Sequence, residues 1–377
     1  MNTITLIATT SFGLEAIVKR EVQALGFDVV NVSNGKIEFT ATPGEIPRAN
    51  LWLRSADRVL LKMGEFRAET FDELFEQTKT LPWENWITQD GQFTVTGTAV
   101  KSKLGSVRAC QSITKKSVVE RLKQAYRVEW FDETGPEFTI KISMLKDIAT
   151  LTIDTSGVGL HKRGYRTLAG EAALKETLAA ALVQLSFYNK ERLLIDPMCG
   201  SGTILIEAAM IARNIAPGLQ RKFASERWPG IPHVAWVRAR NAARSAMDQE
   251  SELQIFGYDI DEEAIRASKV NAKKAGVGKN IIFEQKDIKE LWIDKPNGIL
   301  ISNPPYGVKM GAFQELNQIY ISLHKTFKKK TGWSIYILTG DKKFPDYFKR
   351  ARPDRVRKLF NANIEVNYYQ YFGERPS

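Results

Sequence analysis

Two patterns of apolar residues divide this chain of 377 residues. Up to about residue 160, short runs alternate apolar with polar side chains, the period of a half-buried strand. "TITLIATT" (3–10), "VVNVSNGKIEFTAT" (29–42), "QFTVTGTAV" (92–100), "EFTIKISML" (137–145) and "IATLTIDTS" (148–156) are of this kind. Within 29–42, Ser33-Asn34-Gly35 signals a hairpin. Between these runs lie stretches of helical spacing at 13–26, closed by Gly26, at 45–63 and at 70–81. A basic helix follows from about Ser106 to Tyr126. Two α+β units are predicted, residues 1–65 and 66–160.

The pattern changes after "GVGLHKRGYR" (157–166). Helical stretches now alternate with continuous apolar runs, as in a parallel sheet covered on both faces. The expected strands are "RLLIDPM", "LQIFGYDI", "IIFEQKD", "GILISNPPY" and "WSIYILTGD", with "NIEVNYYQYF" as a final antiparallel strand. Residues 161–377 are therefore expected to form a doubly wound α/β domain. Residues 216–250, which contain Trp228 and Trp236, have no role in this scheme beyond packing or stacking.

Composition narrows the setting. A hydrophobic content of 43% with 26% charged residues suits a soluble globular chain, and no apolar run approaches the roughly 20 residues that span a bilayer. The N-terminal stretch lacks the features of a secretory signal, so a cytoplasmic location is expected, with no membrane partner. Two cysteines and three histidines are too few for a disulfide framework or a zinc site, so no metal is expected. The net charge of +11 favours polyanionic partners. Lys101, Lys103, Arg108, Lys115, Lys116, Arg121 and Lys123 crowd one stretch, and the first five are the candidate nucleic-acid contacts; "HKTFKKK" and "KRARPDRVRK" form a second basic run, simply read as a solvated helix face.

The candidate chemistry lies at the carboxyl ends of the predicted strands, where open α/β sheets bind ligands. In "LLIDPMCGSGT" a strand ends at Asp196 and a glycine turn leads into a helix near Thr203. Gly200 and Gly202 permit a tight turn and close approach of a ligand, while the helix start offers free amides. The spacing is neither GxGxxG, since Leu205 takes the third glycine's place, nor a P-loop. It suits a ligand bearing an ammonium, for Asp196, and a carboxylate, for the amides. In "GYDID", Asp259 is the better candidate for two ribose hydroxyls, and Asp261 for a helix cap. Asp287 ends the next strand and suits either an adenine amine or a cap.

Together with "SNPPYG" (302–307), these stretches resemble class I methyltransferases that use S-adenosylmethionine and modify an exocyclic amine of a base. Residues 66–160 resemble a THUMP RNA-binding module, and the whole chain is similar to the bacterial 23S rRNA guanine-N(2)-methyltransferases, also called N(6)-adenine-specific DNA methylases. Some relatives carry a second methyltransferase domain fused after the first, whereas a single one is expected in this chain. The resemblance implies a ferredoxin-like N-terminal part (1–65), the THUMP module (66–160) and a Rossmann-like methyltransferase domain (161–377). It places Pro197, Cys199, Gly200, Ser201, Gly202, Thr203, Asp259, Ile260, Asp287 and Asn303 around the cofactor, with Tyr165 and Arg166 close by. Structured RNA is the implied partner, 23S rRNA or a pre-ribosomal particle first and tRNA second, with no obligate protein partner.

The strand-end sequence itself explains the amine chemistry. An exocyclic purine amine is a weak nucleophile because its lone pair is delocalised into the ring. If the Asn303 side-chain oxygen and the Pro304 carbonyl accept its two hydrogens, the lone pair is freed and directed. Pro304 and Pro305 hold that carbonyl without adding a competing donor, and Tyr306 is placed to stack on the base. Carbon-5 methylation of a pyrimidine needs a thiolate, and Cys199 and Cys110 lie elsewhere. The expected activity is methyl transfer to guanine N(2) in RNA. The same clamp admits adenine N(6) in RNA or DNA, or a tRNA guanine; a non-catalytic RNA-binding assembly factor is the remaining alternative.

Overall fold

A computed structural model describes residues 3–166, 174–305, 313–350, 352–362 and 364–374, without the side chains of 313–315. In chain order its elements are β1 (Ile4–Thr9), α1 (Glu15–Ala24), β2 (Val29–Ser33), β3 (Lys36–Ala41), α2 (Ile46–Trp52), β4 (Arg58–Arg67), α3 (Phe71–Thr80), β5 (Gln92–Val100), α4 (Val107–Tyr126), β6 (Glu137–Leu145) and β7 (Ile148–Asp154). Then follow α5 (Glu176–Gln184), β8 (Leu194–Asp196), α6 (Thr203–Ala212), α7 (His233–Ser245), β9 (Ile255–Asp259), α8 (Glu262–Lys274), β10 (Ile282–Gln285) and β11 (Gly298–Ser302). The last elements are α9 (Phe313–Phe327), β12 (Trp333–Thr339), α10 (Phe344–Phe348), β13 (Arg355–Asn361) and β14 (Ile364–Tyr371). They form two compact units: Met1–Thr10, Lys19–Leu160 and Lys222–Ala242 make the first, and Ser11–Val18, His161–Arg221 and Ala243–Ser377 the second.

The first unit is built on one sheet of order β2-β3-β1-β4-β7-β6-β5. Only β5 and β6 pair in parallel, and α4 makes the crossover that such a pair requires. The stretch 45–63, expected to be one helix, is instead helix then strand. Leu53 leaves α2 in an extended conformation, and β4 pairs with β1 on one edge and β7 on the other. Val59, Leu60 and Leu61 are buried in succession, which suits a central strand and not a helix stripe. This strand crosses the boundary near residue 65 and joins both N-terminal parts in one sheet. The helix expected at 70–81 is set by its cap: Thr70 Oγ1 accepts from the Glu73 amide, and Glu73 accepts from the Thr70 amide.

The segment without an assigned role packs within this unit. Trp228 stacks on Phe138 with centroids 4.9 Å apart and donates its indole N–H to the Glu137 carbonyl, while Trp236 stacks on Phe223 at 5.1 Å. Both tryptophans are buried core, so packing is their role.

The second unit has the strand order β10-β9-β8-β11-β12-β14-β13. The first five are parallel, and β14 runs antiparallel to both β12 and β13. Side chains alternate between two cores: Leu194, Ile299 and Ile301 face one, and Ile195 and Leu300 the other. The chain reverses its direction of progress between β8 and β11, and the crevice at their carboxyl ends is where such sheets take ligands. The second basic run is not a single helix face: α10 stops at the left-handed Lys349, and the end of the run, Arg355–Lys358, enters β13, where β14 supplies a ladder partner.

Candidate functional site

A cavity of about 1430 Å³ opens at the carboxyl ends of β8, β9, β10 and β11. Of the residues expected there, Pro197, Gly200, Asp259, Ile260, Asp287, Asn303, Pro304 and Pro305 line it. The glycine turn enters α6 through two left-handed residues, Gly200 (φ +51°) and Gly202 (φ +79°). A Cβ on Gly202 would meet Phe283 and Ser268 at 3.0 Å each, so glycine is required by conformation and by space. Asp259 holds this turn from the next strand. One oxygen accepts from the Gly200 amide at 2.8 Å and the other from the Asp261 amide at 3.1 Å. Asp259 itself lines the cavity, and a carboxylate has acceptor capacity beyond these two bonds.

Asp261 is the N-cap of α8, accepting from the Glu263 amide at 2.9 Å, and it also lines the cavity. Asp287 accepts from the Lys289 amide at 2.9 Å, so the cap is realised while the residue stays on the wall.

Asp196 lies beneath the floor. It is 2% exposed, and its Oδ1 accepts from the Ser302 hydroxyl at 2.6 Å and the Met198 amide at 3.1 Å. The Ser302 bond joins the ends of β8 and β11 at the reversal point. Burial pushes this carboxyl up to about 7, against those two hydrogen bonds, which favour the carboxylate; the charge of Asp259 adds to the rise. The folded carboxyl thus holds its proton more tightly than the unfolded one, with its ordinary value of 3.8. Its contribution to stability is complete below that value and is lost as pH rises through about 7. Asp196→Asn removes the titration. In urea denaturation the stability of the wild type relative to this variant should fall by about 1.4 kcal/mol per pH unit from pH 5 to 6. A pH-independent difference would show that Asp196 ionises normally.

Cys199, Ser201, Gly202 and Thr203 shape the turn without lining the cavity. Burial, with Asp196 and Asp259 nearby, holds the Cys199 thiol well above its ordinary range, so it supplies no thiolate. Tyr165 and Arg166 do not line the cavity either. Tyr165 is buried and donates its hydroxyl to Glu207 on α6 at 3.0 Å; Arg166 donates to Thr203 Oγ1 at 2.8 Å and to the Leu174 carbonyl at 2.6 Å. They tie residues 165–166 to α6, at Glu207 in its middle and at Thr203 at its start. Burial and the cations Lys175 and Lys162 lower His161 to about 4, so it is neutral near pH 7.

Asn303 follows the end of β11, and its Oδ1 is buried with no donor among the described residues. A buried acceptor left unpaired costs about 1–3 kcal/mol, and the residue that carries this one also lines the cavity. Pro304 is buried beside it, and Tyr306 lies outside the described residues. The far wall contains residues that sequence reasoning missed: Asn317 and Gln318 of α9, Tyr347 of α10, and Asn361, Ala362 and Ile364 at the β13–β14 turn. The adjacent amides of α9 were the one local signal. Nothing near Tyr347 or Asn361 in the chain announces the site.

In the first unit, Lys101, Lys103, Arg108, Lys115 and Lys116 are all exposed. Lys103 pairs with Glu69, while the Lys115 and Lys116 ammoniums lie over Phe93 and Phe75. Arg121 and Lys123 are paired with Glu84 and Glu129.

A parallel sheet reversing at β8/β11, a glycine turn held by a strand-end acid and a strand end with an unpaired acceptor define a class I methyltransferase. Residues 163–370 match the family model described as the RMKL-like methyltransferase domain, and the chain belongs to this family. Residues 5–60 match the RlmL ferredoxin-like domain and 68–154 the THUMP domain. The chain is 45% identical to the Bacillus subtilis (strain 168) protein named "Putative RNA methyltransferase YpsC", over 100% of this chain and 98% of that one. It is 33% identical to the "Ribosomal RNA large subunit methyltransferase K/L" of Psychromonas ingrahamii, covering 98% of this chain but 50% of that protein, so it spans about half the length of that relative. Among solved structures it resembles SMU.472, titled a putative methyltransferase complexed with SAH, with TM-score 0.94, 41% identity and full coverage of both chains. No helix among the described residues is long and apolar enough to cross a membrane.

Proposed function

We propose that this protein transfers a methyl group from S-adenosylmethionine to the exocyclic N(2) amine of a guanine in RNA, and that 23S rRNA is its substrate. The observation that carries the reading is the buried, unpartnered Oδ1 of Asn303 at the edge of the cavity. An exocyclic amine supplies the donor that this atom lacks.

The chain's residues fit the cofactor. Asp259 would offer acceptors to ribose hydroxyls, the Gly200–Gly202 turn would bring backbone close to the ligand, and Asp287 and Ile260, on the same cavity, would serve the adenine. When bound, the cofactor supplies an electrophilic methyl on a sulfonium. Asn303 Oδ1 and the Pro304 carbonyl accept the amine hydrogens, withdrawing the nitrogen lone pair from the ring and directing it across the cavity. The proline pair fixes that carbonyl, and the amides of Asn317, Gln318 and Asn361 offer donors and acceptors to the base edge. The methylated nitrogen, cationic after transfer, keeps the N–H bonding electrons and releases its proton to water, which needs no titrating base. The THUMP domain would hold the structured RNA through phosphate and shape contacts.

Nucleoside mass spectrometry of separated 23S rRNA, 16S rRNA, tRNA and genomic DNA, from cells with and without this gene, tests the reading. Loss of one N(2)-methylguanine from 23S rRNA is expected. Loss from tRNA, or of N(6)-methyladenine, would replace the substrate, and no change in any pool would favour the assembly-factor alternative.

A further inference from the structure

Two walls of the large cavity are tied to one buried carboxyl. Pro197 and Met198 line it where the chain leads into the glycine turn, and Asn303 lines it just past the end of β11. Backbone pairing does not join these walls at the rim. The β8–β11 ladder ends with Leu300 opposite Ile195, so Ser302 and Asn303 run on beyond it. Asp196 is laddered to Gly257 of β9, and Ser302 to Ile337 of β12. A side-chain bond closes the gap instead: Asp196 Oδ1 accepts from the Ser302 hydroxyl at 2.6 Å and from the Met198 amide at 3.1 Å. Ser302 and Asp196 are both buried, which strengthens the bond, and neither lines the cavity.

Transfer requires the attacking nitrogen and the methyl carbon to be held about 3–3.5 Å apart and aligned, and a displacement of about 1 Å can cost about 100-fold in rate. The proposed acceptor of the amine is the residue after Ser302, and the turn beside the cofactor begins at Met198. We infer that Asp196 and Ser302 are positioning residues for methyl transfer, their bond setting the separation between the glycine turn and the Asn303 acceptor. The inference rests on the reading of this site as one that methylates an exocyclic amine. A hydrogen bond to an ionised acceptor is shorter and roughly twice as strong as one to a neutral acceptor, so the carboxylate holds the two walls more tightly than the acid does. The titratable groups facing Asp196 are Asp259 from β9 and the Cys199 thiol from the turn. Burial, with the charge of Asp259 added, sets its ionisation at about 7, so the tight form is the one present above that pH. The contribution of the same group to stability is lost over that range. Rate and stability therefore move in opposite directions with pH, which a bond serving the fold alone would not produce.

The test uses the full chain, S-adenosylmethionine with a tritiated methyl group, and total RNA and ribosomal particles from cells lacking the gene. Single-turnover rates are read from pH 6 to pH 8. The wild-type rate should rise about tenfold, following the ionised fraction of a carboxyl that titrates near 7. Ser302→Ala should be about 10–100-fold slower at pH 8 and nearly flat with pH. Asp196→Asn keeps the shape and an acceptor but not the charge, and should hold the low-pH wild-type rate throughout. S-adenosylhomocysteine affinity should be unchanged in Ser302→Ala, which retains the Met198 bond and shows by this that it folds. Wild-type turnover in Ser302→Ala, a flat wild-type profile, or a wild-type profile in Asp196→Asn would overturn the inference and leave the amine reading intact. A wild type that transfers no methyl to any RNA would overturn both.

Discussion

Asn303→Ala should lower methyl transfer by about 10²–10³-fold and, at the same time, leave the protein as stable as the wild type or more so. The first effect follows from removing an acceptor aimed at charge that develops on the amine, for which losses of this size are typical. The second follows from the state of the atom removed. Asn303 Oδ1 is buried and unpaired among the described residues, so its loss relieves a desolvation cost of about 1–3 kcal/mol. Few substitutions in a buried strand end are expected to stabilise, and the combination separates a functional acceptor from a structural one. Single-turnover rates on RNA containing the target, with thermal melts of the same preparations, would show both. Full turnover would refute the amine clamp, and a fall in melting temperature would show that Oδ1 has a structural partner.

Asp259→Ala should reduce affinity for S-adenosylmethionine and S-adenosylhomocysteine by at least about 100-fold. Two backbone amides lose a charged acceptor, each worth about 1.5–3 kcal/mol, and the Gly200 turn loses its tie to β9. Loop release alone would weaken binding, so the ribose role needs a separate measurement. Calorimetry with S-adenosylhomocysteine and its 2′-deoxy analogue, on wild type and variant, forms a double-mutant cycle. The wild type should discriminate against the deoxy analogue and the variant should not. Equal discrimination in both would assign Asp259 to the turn alone.

Much of the site was legible because its parts sit at strand ends. Asp196, Asp259, Asp287 and Asn303 were each located by an apolar run that stops, and the structure puts the last three on one cavity wall. What remained hidden depends on pairs far apart in the chain. The bond from Ser302 to Asp196 joins residues 106 positions apart, and that from Gly200 to Asp259 spans 59. Asn317, Tyr347 and Asn361 reach the same cavity from three elements with no shared local pattern.

The same division holds for the fold. Period-two and continuous apolar runs were enough to separate the antiparallel-rich N-terminal part from the parallel domain, because alternation reports how many faces a strand buries. They were not enough for 45–63, where helical and strand spacings overlap and pairing with both β1 and β7 settles the outcome. Nor could they place Trp228 and Trp236, whose ring partners lie in the first unit. By itself the sequence determined which segments bury one face or two and where each strand stops. Those properties are local, set by side-chain period and by proline and glycine. Only the tertiary structure decided which strand lies beside which, and so which buried acceptor is left without a donor, because hydrogen-bond partners and desolvation are properties of neighbours in space.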